Sequence, residues 1–389
     1  MDQSSTSTES SSQPRRSVAQ FLRKYFWAGQ KTNEDLVISG SPPSPFDELV
    51  ARHRKFIAIA VPFILVQLVY WLVAWKFNFF HLFRDRWEIA PIMAFGATVG
   101  GATAEGGGAI AFPVLTLALK IRPEIARDFS VMIQTVGLNA AAVSIQLMGV
   151  LIERHTLVFA SIGGTAGTVV ALEFLDAVLS PAVKKIAFVS VFFSFAIALY
   201  LLNKEKKRTT FDQIQDFDLW KAAVLLATGF VGGLLSGIAG SGLEVFAFSI
   251  ITLLFRINEK VATPTTVSLA GINSVITFFW RGVMQQAIAP LAWDYFIVCI
   301  PIVIFFAPIG SLLSSHFHRL TLATFIYILE TIALVSAFAV LRPGLPLILL
   351  SVSIIAVSFA FYVVLGKAGQ RIALKQGERV RSTEKHELA

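Results

Sequence analysis

Long apolar runs separated by short polar stretches dominate the chain from residue 56 onward. The first, 56–75, carries Trp71 and Trp75 near its end, where amphipathic rings favour a membrane interface. A charged loop at 76–88 follows. Apolar character resumes at 89–103, breaks at Glu105 to Gly108, and returns at 109–120. Neither of these arms comfortably reaches the roughly 20 residues that a helix needs to cross a ~30 Å hydrocarbon core. Longer runs occupy 129–152, 157–179 and 186–202, and then a charged stretch at 203–218 interrupts the pattern. The order then repeats: an arm at 219–236, a break at 237–242, an arm at 243–255, and runs at 261–280, 291–315 and 320–341. A last run, 345–366, precedes a charged tail. No period-2 alternation of about ten residues recurs, so the pattern predicts an all-α polytopic membrane protein rather than a β-barrel.

The repetition extends to single residues. Gly106-Gly107-Gly108 is followed by Phe112, Arg122, Gly137 and Asn139; 134 positions later Gly240-Ser241-Gly242 is followed by Phe246, Arg256, Gly271 and Asn273. Each half is therefore read as a broken helix pair plus three spans, with one extra span at either end. In segments, this gives a polar tail at 1–55, a first span and loop at 56–88, repeat 1 at 89–203, a charged linker at 204–218, repeat 2 at 219–341, a last span at 342–366 and a charged tail at 367–389.

Charge decides how the broken pairs are counted, because Lys/Arg-rich short loops stay on the cytoplasmic side. Counting 89–120 as one crossing would put the lysine-rich linker outside. Counting it as a hairpin that returns to its starting side puts the linker and both termini inside. Each half then makes an odd number of crossings, and the two halves are inverted relative to each other. Inverted repeats with paired helix breaks point to a secondary transporter whose site lies between the halves.

Composition excludes other classes. With 55% apolar and 15% charged residues and a mean hydropathy of +0.68, two soluble domains are not expected. The net charge of +8 comes from basic residues beside apolar runs, so nucleic acid is not an expected partner. The single Cys299 provides no disulfide framework or metal pair, and no cofactor is implied. Residues 1–50 are polar and Ser/Thr/Pro-rich and are read as a disordered tail without a cleavable signal; residues 15–27 could alternatively form a short amphipathic surface helix.

The chemistry concentrates at the breaks. Unpaired backbone groups cost several kcal/mol each in hydrocarbon, so a glycine-rich break must be buried in protein or line water. The helix that starts after it offers free N–H groups and a positive dipole end to an anion, and glycine lets that anion approach the backbone. Close helix packing is the plainer use of such glycines. Gly106, Gly107, Gly108, Gly240, Ser241 and Gly242 are the substrate-binding candidates at the breaks, with Gln134, Asn139, Thr265, Thr266 and Asn273 as neighbouring polar groups. Helix-to-helix bonding is the alternative for both asparagines. Glu105 and Glu244 are either proton carriers or caps on the helix starts beside them. Glu330 stands mid-span without an obvious partner.

The segments 100–113 (GGATAEGGGAIAFP) and 232–246 (GGLLSGIAGSGLEVF) resemble the paired glycine-rich signatures of the sulfite exporter TauE/SafE family, a similarity that covers about 89–341. The second copy has Ala247 where the first has Pro113. The resemblance implies a permease for sulfite, a sulfonate or a sulfoacetate-like anion in the cell membrane, coupled to protons or another gradient, with the breaks facing the substrate. A cation-coupled exchanger or channel built on Glu105 and Glu244 is the competing expectation. No catalytic signature motif suggests an enzyme. Expected partners are a small anion, protons and the lipid bilayer; a homo-oligomer is left open.

Overall fold

A computed structural model describes the backbone of residues 45–204 and 209–387, and the side chains of 53–204, 209–318 and 320–374. The amphipathic segment at 15–27 lies outside the described residues. Every named element among the described residues is helical. Chain entry is α1 (Pro45–Phe77) and a short α2 (Phe80–Asp85). Helix therefore begins inside the stretch expected to be a tail, with Pro45 at its first position, where a fixed φ and a missing N–H carry no penalty.

The first half comprises α3 (Ile89–Ala102), α4 (Gly108–Pro113, continued as a wider turn over Val114–Ala118), α5 (Pro123–Leu147), α6 (Arg154–Val170, continued over Ala171–Leu175) and α7 (Pro181–Lys204). The second comprises α8 (Leu219–Ala239), α9 (Leu243–Leu253), α10 (Glu259–Phe279, continued over Trp280–Met284), α11 (Pro290–His316) and α12 (Arg319–Leu341). A long α13 (Leu345–Glu387) closes the chain.

Among the described residues nine helices are long and apolar enough to cross a membrane, and α3, α4 and α9 are shorter apolar helices. The sequence pattern predicts eight spans and two broken pairs; the ninth long apolar helix is α8, whose 21 residues exceed the 14 of its counterpart α3. The start of α8 is fixed at its base, where Lys221 Nζ donates to the carbonyls of Gln215 (2.7 Å) and Asp216 (2.6 Å).

Small residues bring the halves together. Gly229, Gly233 and Gly237 of α8 lie against the Ala160, Gly164 and Thr168 backbones of α6, so any side chain there would collide with main chain. The matching order shows that α6 and α8 run parallel. The same device, Gly101 and Gly310 against Ala307 and Thr98, joins α3 to α11. Helices α5 and α10 instead run antiparallel, with Asp128 meeting Arg281 at one end, Asn139 meeting Gly271 midway and Glu153 meeting Thr265 at the other.

At two of the prolines inside spans, Pro62 and Pro301, a neighbouring helix repairs the interruption. Pro62 cannot donate to Ala58 O, which instead accepts the Ser144 hydroxyl at 2.8 Å. Pro301 cannot donate to Ile297 O, which accepts the Tyr70 hydroxyl at 2.9 Å. Before α8, Phe211 pairs with the α9–α10 turn: its N–H donates to Arg256 O, and its carbonyl accepts from Asn258 N–H, both at 2.9 Å. The chain entering α8 and the chain leaving α9 are thus side by side.

Candidate functional site

Each break is a glycine-built turn. Helix α3 ends at Ala102, Thr103 is extended, and Gly106 at φ +69° turns the chain into α4. Helix α8 ends on Gly240 in the left-handed conformation at φ +82°, whose N–H returns to Ser236 O at 2.6 Å. Ser236 also caps the next helix, accepting Leu243 N–H on its hydroxyl at 3.0 Å.

The two breaks meet inside the protein. A Cβ on Gly106 would lie 2.7 Å from Glu244 Oε1 and 3.0 Å from Gln134 Oε1, and one on Gly108 would lie 2.5 Å from Ser241 Cβ. Ser241 Oγ sits 3.2 Å from Glu105 O and is also bonded to the Glu244 carboxyl. Gln134 Nε2 donates to Gly240 O at 2.7 Å and to Ser130 Oγ at 3.0 Å, which ties α5 to the second break. A cavity of about 10 Å³ beside Gly107 and Gln134 is large enough for about one water.

Gly106, Gly107, Gly108, Gln134, Gly240, Ser241, Gly242, Glu105 and Glu244 therefore form one buried cluster. The other polar candidates bond elsewhere. Asn139 Nδ2 donates to Thr135 O (2.8 Å) and Gly271 O (2.9 Å), Asn273 Oδ1 accepts from Thr168 (3.2 Å), and Thr265 Oγ1 accepts Glu153 N–H (2.8 Å). Thr266 donates to Thr263 O within its own helix at 3.0 Å. The bonds of Asn139 to Gly271, Asn273 to Thr168 and Thr265 to Glu153 tie separate segments, the alternative open to the asparagines from the sequence.

The two acidic residues differ in their partners. Glu244, 2% exposed, accepts from Ser241 and from Gly242 N–H at 3.3 Å, which makes it a cap on the start of α9. Glu105, 0% exposed, has no such cap; among the described residues its carboxyl lies against that of Glu330 on α12, with Glu244 as the next acidic neighbour. Glu330 thus has a partner that periodicity could not supply, because the pairing joins residues from different halves.

A second polar centre lies at the opposite end of α5 from the linker. Asp128 accepts from Arg281 (Nε 2.9 Å, Nη2 2.7 Å) and from Arg127 (3.0 and 2.9 Å), while Arg127 Nη1 reaches Asp176 at 2.6 Å. Lys184 Nζ joins Asp176 at 2.6 Å and Glu124 at 3.1 Å. Burial pushes the Asp176 carboxyl up, but Arg127 and Lys184 outweigh it and hold the group below its usual value. Sequence missed this centre: Arg127 and Asp128 look like a loop ending before an apolar run, and Arg281 looks like an interface anchor.

At the linker end, a cavity of about 60 Å³ lined by Asn203, Glu259, Thr263, Phe248, Ala104 and Thr103 reaches the first break. Long apolar helices, buried paired breaks and a cavity ending at one of them define an integral multi-pass membrane protein of the transporter class. Residues 89–338 match the family described as Sulfite exporter TauE/SafE, and the chain belongs to that family. The matched span ends three residues short of the region that resembled it in sequence. Neither the curated proteins nor the solved structures contain a match to the chain.

Proposed function

We propose that the protein is a secondary transporter of a small sulfur-containing or organic anion, such as sulfite, a sulfonate or sulfoacetate. It works by alternating access of two inverted halves in the cell membrane, with both termini cytoplasmic. The observation that carries this reading is the contact between the two breaks, one from each half of a TauE/SafE chain, at Gly106, Gly108, Ser241 and Glu244. The antiparallel course of α5 and α10 supports the inversion, and the Phe211–Arg256 pairing supports a second break that returns to its starting side.

Access is one-sided in this arrangement. The cavity at Thr103 and Ala104 opens toward the linker, whereas Asp128 and Arg281 join α5 to α10 at the other end. The space at Gly107 is too small for an oxyanion, so substrate entry requires the breaks to part. Proton coupling follows from competition for donors. The Glu244 carboxylate occupies the Ser241 hydroxyl and Gly242 N–H that an incoming anion would use at the start of α9. A proton on Glu244 frees both donors for the substrate and cancels the charge that would repel it.

The test is sulfite flux in proteoliposomes against imposed proton and sodium gradients. Wild type is expected to accumulate sulfite with a proton gradient, and Glu244→Gln to move it with no pH dependence. Sodium-driven flux that needs Glu105 and Glu244 would favour the cation-coupled alternative. Absence of sulfite, sulfonate and sulfoacetate flux under either gradient would remove the anion reading.

A further inference from the structure

A cavity of about 160 Å³ lies away from the breaks, between the ends of α7 and α9 and the face of α13. Its walls are apolar, including Leu202, Leu253 and Tyr362, and its polar lining comprises Arg256, Lys367 and Gln370. Arg256 is only 5% exposed and donates to Gly366 O at 3.3 Å, whereas Lys367 is exposed. Both cations therefore line one pocket, Arg256 at its base and Lys367 at its mouth.

The depth of the pocket is set by helix length. Ser190 of α7 and Ser351 of α13 are hydrogen-bonded at 2.7 Å, and further along Leu201 and Tyr362 line the same cavity, so these helices run parallel. At 1.5 Å per residue, Lys367 stands about 33 Å along α13 from Leu345, and Leu202 about 32 Å along α7 from Pro181. Both positions correspond to the far edge of a ~30 Å hydrocarbon core. The side is that of the linker, because Phe211 N–H donates to Arg256 O. Arg256 also holds a left-handed backbone at φ +58°, a conformation that a non-glycine residue keeps only where its surroundings fix it.

We infer that this pocket binds the headgroup of an anionic phospholipid from the linker-side leaflet, with Arg256 and Lys367 holding the phosphate and the leucine and tyrosine walls receiving the start of the acyl chains. Two cations and an amide suit a phosphodiester with further oxygens, and apolar walls at this depth suit a molecule whose remainder lies in hydrocarbon. Juxtamembrane cations favour anionic over neutral lipid. The inference does not depend on what the protein transports.

The experiment uses delipidated full-length protein in detergent and reads the rise in unfolding midpoint on adding phosphatidylglycerol, phosphatidylcholine or inorganic phosphate. Phosphatidylglycerol is expected to raise the wild-type midpoint by about 3 °C more than phosphatidylcholine does, with no rise from inorganic phosphate. Lys367→Gln, at an exposed position that leaves the fold intact, is expected to lose at least half of that increment. Arg256→Gln is read by its lipid-induced increment, because its baseline also falls with the bond to Gly366. Lys76→Gln, at the far end of α1, keeps the full increment. Equal increments from the two lipids, an equal rise with inorganic phosphate, or an unchanged increment in both pocket variants would overturn the inference.

Discussion

Arg281 grips Asp128 through two parallel hydrogen bonds, Nε to Oδ1 at 2.9 Å and Nη2 to Oδ2 at 2.7 Å. The aspartate belongs to α5 and the arginine to the end of α10, helices that occupy equivalent places in the two halves. Asp128 is 2% exposed and also bonded to Arg127, which is fully buried, so the three groups form one unit. Removing one partner of a buried pair leaves an uncompensated charge and typically costs about 3–5 kcal/mol. Arg281→Met and Asp128→Asn are each expected to lower the thermal midpoint of the purified protein sharply. The double variant should lose less than the sum of the two. Additive losses would show that the pair does not act as a unit.

Asp176 makes the same network sensitive to acid. Its folded-state value lies below the ordinary 3.8 because Arg127 and Lys184 overcome the burial that would raise it. The folded protein therefore binds fewer protons at this group than the unfolded chain does. The stability it contributes is complete above about pH 4 and is lost as pH falls through the lower folded value. Midpoints measured from pH 7 down to about pH 3 should drop on the acid side, and Asp176→Asn should start lower at neutral pH with a shallower acid-side drop. Parallel curves for the two proteins would contradict this assignment.

Ser144 and Tyr70 each serve a carbonyl that a proline leaves without its helical donor. Interhelical bonds of this kind contribute about 0.6–2 kcal/mol in membranes. Ser144→Ala is expected to destabilise within that range. Pro62→Ala restores an N–H for Ala58 O, so Ser144→Ala should cost less in that background. A double-mutant cycle on thermal midpoints with no coupling between Pro62 and Ser144 would disprove the repair.

Much of the architecture was legible because the bilayer fixes element length and because the repeat is written twice. The order of runs and the two breaks reappear as helices and turns, although the second break is shorter than the sequence suggests, because α8 stays helical through Ala239 and the chain turns only at Gly240–Gly242. The helical start at Pro45 was missed because a polar stretch before a span carries no apolar signal. The cross-half pairs, Asp128 with Arg281, Glu105 with Glu330 and Gln134 with Gly240, could not be read from sequence. Each joins residues from the two halves, and a repeat fixes what is equivalent, not what is adjacent. Asn139 and Asn273 make the same point: equivalent in sequence, they tie different helix pairs.

The neighbouring glycines of the first break separate packing from ligand access. Gly106 has a positive φ, and its Cβ would press on Glu244 and Gln134, so Gly106→Ala is strained whatever the protein carries. That variant should lose about 2 kcal/mol or more together with transport. Gly107 has φ −66°, and a Cβ there would meet nothing closer than Gly96 O at 3.8 Å. If glycine at 107 served the fold alone, alanine would be neutral for both stability and flux. If it keeps the backbone open to an anion, Gly107→Ala should leave the thermal midpoint within about 1 °C and still reduce sulfite flux at least tenfold. Unchanged flux in Gly107→Ala would exclude this glycine from the substrate path, while lost flux with an unchanged midpoint would place the anion against the first break.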